Sequence, residues 1–209
     1  MHRTLLPLAA LCLLATGGCD YFRAAQPNVP TFAPFTPDYA DPDAALQTIS
    51  NAIQDKARTI GLTAYADAFA ESTSTSTPGY HQLFWPGDVG TWQAATGRLP
   101  TGDWNRPLEL HFFVYLVNLR PDEYRLAWEP DDPNPDVPGL DSWVVHRRYV
   151  LTTETTEGTQ TSTLAVGFAK LTFLRVGGNW RIVRWEDRVD PRVSDPEQLT
   201  LGRRRLDSH

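Results

Sequence analysis

Between Trp143 and Asp187 the chain alternates polar and apolar residues with a period of two, and this stretch limits the available folds more than any other. Trp143 to Leu151 is rich in β-branched and aromatic residues, the composition of a strand. Thr155 to Thr159 turns the chain, and Thr163 to Val176 forms a second run. In that run Ala165, Gly167, Ala169, Leu171 and Phe173 share one face, while Phe168, Lys170, Thr172 and Leu174 share the other. Gly177-Gly178 can supply the two positive φ angles of a tight hairpin, and Trp180 to Asp187 returns. Three long antiparallel strands need a second layer to bury their apolar face. The segments upstream supply candidates for it.

Asp41 can cap a helix that begins at Pro42, with Asp43 at the positive end of its dipole. Leu46, Ile49, Ile53, Ala57 and Ile60 recur at helical spacing, and Gly61 ends that helix. A shorter helix is expected from Thr63 to Glu71, followed by a Ser/Thr loop to Pro78-Gly79. Leu83-Phe84-Trp85 reads as a short strand, and Gln93 to Thr101 as irregular. Asp103 can cap a third helix with Pro107 in its first turn and Leu108, His111, Phe112, Tyr115 and Leu116 on its apolar side. The β-branched and aromatic residues of Phe112 to Val117 also suit a strand. Tyr124 to Trp128 is a further strand, and Glu129 to Asp141 an acidic, proline-punctuated loop.

The N-terminus carries an address. Met1-His2-Arg3 is a positive n-region and Leu5 to Ala15 an apolar stretch too short to span a bilayer. Thr16-Gly17-Gly18-Cys19 then resembles the lipobox of bacterial lipoproteins, although Thr16 stands where leucine is usual. The resemblance implies cleavage of residues 1–18 and lipid on Cys19. With its remaining cysteine lipidated, the mature chain folds without a disulfide. Residues 19–41, with Pro27, Pro30, Pro34 and Pro37, read as a semi-stiff tether, which at about 3.1 Å per residue reaches roughly 60 Å. The expected location is the cell envelope, lipid-anchored and facing the periplasm or the cell surface.

Length and charge set further bounds. A chain of 209 residues with 41% hydrophobic residues can build one domain with a substantial core. Its formal charge of -6 argues against a nucleic-acid partner. The one dense basic cluster, Arg203-Arg204-Arg205, falls in a polar tail at 191–209 and reads as a solvated end, with Leu199 and Leu201 available to dock a last turn.

The order of elements, closing on Gly178-Asn179-Trp180-Arg181-Ile182-Val183-Arg184-Trp185-Glu186-Asp187, resembles the NTF2-like (SnoaL-like, ketosteroid-isomerase-like) cone. The resemblance covers about residues 42 to 190 and implies an α+β fold, a curved antiparallel sheet covered on one face by about three helices. Enzymes of that family place a carboxylate or a His/Asp pair in the cone, often with a tyrosine, and such a carboxylate must be desolvated for its pKa to approach neutrality. The candidates here are His111, Tyr115, His146, Glu186 and Asp187, although no family catalytic motif maps onto them residue by residue. The plain reading of Asp187 is a partner for Arg184 or a turn residue.

No cofactor or metal is expected. The histidines His81, His111, His146 and His209 lack metal-ligand spacing. Glu129, Asp131, Asp132, Asp136 and Asp141 do not follow an EF-hand pattern and read as a solvated connection. HExxH, GxSxG and phosphate-loop patterns are missing from the sequence. The family includes enzymes, carriers and domains without activity, so fold leaves function open. The expected function is a non-catalytic envelope lipoprotein binding a small apolar ligand or a protein partner. The alternatives are an isomerase or dehydratase of the SnoaL or ketosteroid-isomerase type and a structural module in envelope assembly.

Overall fold

The computed structural model describes residues 35–55, 59–72, 78–98, 100, 103–119, 123–131, 134–155, 160–193 and 199–209. Cys19, the leader segment and the tether as far as Pro34 lie outside these residues. Phe35 to His209 form one compact unit.

Its described residues form five helices and five strands: α1 (Pro42–Gln54), α2 (Thr59–Asp67), β1 (His81–Leu83), α3 (Pro86–Thr96), α4 (Arg106–Asn118), β2 (Glu123–Pro130), β3 (Ser142–Thr155), β4 (Gln160–Val176), β5 (Asn179–Arg188) and α5 (Leu201–Asp207). The strands form one sheet in the order β1-β5-β4-β3-β2. The β3–β4–β5 ribbon is antiparallel, as the alternation predicts, and Gly177 and Gly178 make the turn with φ of 59° and 87°. β1 instead runs parallel to β5, so the sheet is mixed rather than antiparallel throughout. Register shifts at Leu151/Thr152 and Thr172/Phe173 are the irregularities that bend a sheet of this length.

Cross-strand partners share a face, and the inner face is apolar. It carries Val145, Tyr149 and Leu151 from β3, Ala165, Ala169, Leu171 and Phe173 from β4, and Ile182 and Trp185 from β5. Leu46, Ile49 and Ile53 of α1, Tyr65 of α2 and Phe112, Phe113 and Leu116 of α4 pack into the same core. Polar atoms stitch the layers together. Trp128 Nε1 donates to Ser50 Oγ of α1 at 2.9 Å, and Tyr124 Oη donates to Leu116 O of α4 at 2.6 Å.

Several boundaries differ from the sequence reading. Asp41 caps α1, its Oδ1 accepting from Ala44 N at 2.8 Å, but α1 ends at Gln54 and Gly61 lies inside α2. A Cβ on Gly61 would stand 2.8 Å from Asp55 O and 3.0 Å from Ala52 O, so this glycine permits the close approach of α2 to the end of α1. The stretch expected to be irregular begins inside a helix: Gln93 to Thr96 are the last turn of α3, which escapes notice because Trp92 is its one buried residue. The short strand precedes Phe84-Trp85 instead of containing them. Asn105, not Asp103, caps α4. The end of the expected tether belongs to the fold: Tyr39 is buried, donates from Oη to Ala64 O at 2.7 Å and stacks under Arg181. The segment expected as a polar tail ends in α5, with Leu201, Arg205 and Leu206 in the core. Among the described residues no helix is long and apolar enough to cross a membrane.

Candidate functional site in the cone interior

α4 turns Glu109, Phe112, Phe113 and Leu116 inward, a stripe at i, i+3, i+4 and i+7 with a carboxylate at its head. α5 does the same with Leu201, Gly202, Arg205 and Leu206. Asp187 is near the end of β5, on the inner face opposite Ala169. These three charged groups meet. The side chains of Glu109, Arg205 and Asp187 are all fully buried.

Arg205 presents two edges to the carboxylates. Its Nε and Nη2 donate to Glu109 Oε2 and Oε1 at 2.8 and 2.7 Å, a bidentate fork, and Nη1 reaches Asp187 Oδ2 at 3.4 Å. Its guanidinium carbon lies 4.2 Å from the Trp185 ring centre and 5.2 Å from that of Phe112. Glu109 also accepts from Tyr65 Oη at 2.6 Å and Trp104 Nε1 at 2.9 Å. The Tyr80 hydroxyl stands 2.8 Å from Gln82 Oε1 and 3.3 Å from Glu109 Oε2, and its single proton serves one at a time. Asp187 Oδ1 accepts from Tyr149 Oη at 2.8 Å and Trp185 Nε1 at 3.1 Å, and Oδ2 from Gln82 Nε2 at 3.1 Å. Tyr149 in turn accepts from Leu201 N at 2.9 Å, which ties α5 to the same network.

Two glycines make room for this arrangement. A Cβ at Gly167 would lie 2.6 Å from Tyr149 Oη, and one at Gly202 would lie 2.8 Å from Asp187 Oδ2. The first lets the tyrosine cross β4; the second lets α5 press against the acid.

Burial sets the protonation. Desolvation pushes Asp187 up to about 6, opposed by Arg205 and by hydrogen bonds from Tyr149 and Trp185. Desolvation, reinforced by Glu109 or Asp187, raises Tyr65, Tyr80 and Tyr149 well above the usual phenol range, so all three act as donors. Burial works against the charge of Arg205, but Glu109, Tyr80 and Tyr65 together outweigh it and hold the guanidinium protonated. A carboxylate offers about four lone-pair positions. Glu109 takes four firm donors, and Asp187 three with Arg205 Nη1 as a longer fourth. Neither has one spare to pull a proton from a substrate.

The other residues named from sequence lie apart. His111 is exposed on α4, whose buried face is turned one residue on from the stripe expected. Tyr115 is half-buried and stacks on Phe112 with centroids 6.5 Å apart. His146 is on the outer sheet face with Nδ1 3.1 Å from Pro135 O. Glu186 is also outside, paired with Lys170 and Arg184, so Arg184 is not the partner of Asp187. In the acidic loop Asp136 pairs with Arg147 and Asp131 with Arg188. An open cleft of about 470 Å³ over Tyr80, His81 and Arg106, and another of about 430 Å³ beside Trp85, Phe168 and Arg188, are not lined by Glu109, Asp187 or Arg205.

Sequence reasoning passed over Glu109, Tyr65, Tyr80, Gln82, Trp104 and Arg205. The signal for Glu109 was present: an acid at the head of an i+3, i+4, i+7 apolar stripe. Arg205 follows Leu201 by four residues and so shares its helical face, but the arginines around it hide the pattern.

Comparison with solved structures identifies the architecture. A candidate scytalone dehydratase from Novosphingobium aromaticivorans superposes with a TM-score of 0.50 over 77% of this chain and 90% of its own, at 11% identity. An NTF2-like protein with a cystatin-like fold from the same organism gives 0.49 over 93% and 95% at 12% identity. A Mycobacterium tuberculosis protein of unknown function gives 0.49 over 79% and 90% at 15% identity. No protein-family model matches the sequence, and no curated protein matches it either. The described domain shares the fold of the candidate scytalone dehydratase, an α+β arrangement of helices on a curved mixed sheet that is consistent with an NTF2-like cone.

Proposed function

We propose that this protein is a lipid-anchored bacterial envelope protein whose NTF2-like domain is closed and non-catalytic, and that it works through contacts of its outer surface with an envelope protein. One observation carries this reading: Arg205 lies in the cone interior with its donors on both carboxylates and no exposed surface. A small apolar ligand in the cone would have to displace α5 and leave two acids unpaired, at a cost of several kcal/mol. Anchoring rests on the lipobox-like run ending at Cys19. A palmitate analogue should label the wild type, and a Cys19→Ala chain that still labels would refute the anchor. For the closed cone, tryptophan fluorescence should stay unchanged across a panel of apolar ligands. A saturable change would overturn the reading.

A second reading has an observation of its own. Asp187, raised to about 6 in an aromatic interior beside Tyr149, is poised for proton transfer once α5 is out of the way. The fold is shared with a candidate dehydratase. Dehydration or isomerisation by the full chain, lost in Asp187→Asn, would establish this reading against the first.

A further inference from the structure

We propose that the cone is a guanidinium-binding site whose resident ligand is the chain's own Arg205, and that it accepts an arginine side chain from another polypeptide when α5 is displaced. The inference rests on the closed-cone reading and names the chemistry of the closed site. The binding groups come from the rest of the domain. Glu109 is on α4, Asp187 and Trp185 on β5, Gln82 on β1, Tyr65 on α2 and Tyr149 on β3. Each carboxylate is oriented by donors outside α5: Tyr65 and Trp104 for Glu109, and Tyr149, Trp185 and Gln82 for Asp187. What these groups leave open matches a planar fork. Glu109 takes two parallel N–H bonds, Asp187 a third, and the Trp185 ring takes the cation at 4.2 Å. A lysine ammonium, a compact charge, cannot span both carboxylates and stack at once.

The ligand sits on a short element. α5 has seven residues. Outside the guanidinium it is held by the buried side chains of Leu201 and Leu206, by Leu201 N donating to Tyr149 Oη, by Thr200 Oγ1 to Asp88, by a bridge of Leu199 with Ala165, and by Arg204 Nε to Leu164 O. Gly202 fits it closely against Asp187. A short element that carries one buried cation into a cage built by others has the construction of a tethered ligand.

The test is chemical rescue of Arg205→Ala in the full chain. The variant should melt below the wild type. Ethylguanidinium and N-acetyl-arginine amide should each raise its Tm saturably, by about 3–6 °C at roughly tenfold over the dissociation constant. Ethylammonium at equal ionic strength should not, and the wild type should not respond. Equal effects of guanidinium and ammonium, or equal effects on variant and wild type, overturn the proposal. Rescue by ethylguanidinium without the arginine amide would restrict the site to small cations and overturn the polypeptide ligand. If Arg205→Ala does not fold, the same compounds are supplied during refolding. Recovery of the native circular dichroism supports the site, and no recovery overturns it. Failure of rescue with a wild type that still ignores apolar ligands counts against this inference alone. A wild type that binds them counts against the closed cone.

Discussion

The sheet carries an arginine–carboxylate cluster on each side, and the two differ in where the guanidinium ends. Inside, Arg205 and both of its acids are fully buried. Outside, Asp190 is buried but accepts from Arg148 Nε at 2.8 Å and from Arg192 N and Nε at 3.0 and 2.9 Å, and Arg192 is 63% exposed. Arg188, 44% exposed, reaches Asp131 in the same way. Water can replace an exposed guanidinium, and Asp190 keeps other donors if one is lost. Water cannot take the place of Arg205 without entering the core. The same pairing chemistry is therefore a surface adjustment in one place and a condition of folding in the other.

Four measurements would break or sharpen that contrast. The largest effect should come from Arg205→Met, which leaves Glu109 and Asp187 buried without a cation. Urea denaturation should show a loss of about 3–5 kcal/mol, and a loss below about 1 would erase the distinction. The next is a pH effect. Asp187 is raised to about 6 in the folded chain, against about 4 when unfolded. Between these values the native state holds a proton that the unfolded state has given up. Stability from this residue is therefore present in acid and lost as pH rises from 4 to 6, by about 2–3 kcal/mol. The outer Asp190 behaves in the opposite sense: chiefly through Arg192, its carboxyl is held well below the usual range, and its stabilisation is lost only as pH falls below about 4. The stability difference between wild type and Asp187→Asn should slope between pH 4 and 6, in favour of wild type at the acid end. A flat difference would mean the acid is not desolvated.

Smaller effects test the fastening of α5 and the outer cluster. Thr200 caps α5, its Oγ1 accepting from Arg203 N at 3.0 Å and donating to Asp88. Thr200→Ala should cost about 1 kcal/mol and raise hydrogen exchange in α5 before the sheet. Arg192→Ala should leave the urea midpoint where it is, because Arg148 and a backbone N–H still serve Asp190.

The same contrast explains what could be read from the sequence. The β3–β4–β5 ribbon was legible because its pairing is local and its alternation long, and the Gly177-Gly178 turn is encoded in two adjacent residues. α1 was legible from Asp41-Pro42, but its end was not, because the apolar spacing continues through Ala57 and Ile60 while the helix stops at Gln54. The parallel docking of β1 on β5, Gln82 against Trp185, leaves no mark in three residues. Asp187 was named among the candidates, yet its expected partner was Arg184, three residues before it. Arg205 is eighteen residues away, and Glu109 lies ninety-six from the same arginine. Spacing rules see one turn of helix or one step of strand. A charge pair closed across that distance is invisible to them, and three consecutive arginines look alike until one of them is inside.

The position of Arg205 along the chain also bears on how the domain is made. Glu109 and Asp187 are both laid down before their common counter-ion, so a growing chain that has passed Asp187 and not yet reached Arg205 holds two acids without their cation. Helices and strands can form ahead of that moment, but the dry interior cannot close until α5 is complete. The completion of α5 thus sets the time at which this domain stops being a hydrated assembly of parts.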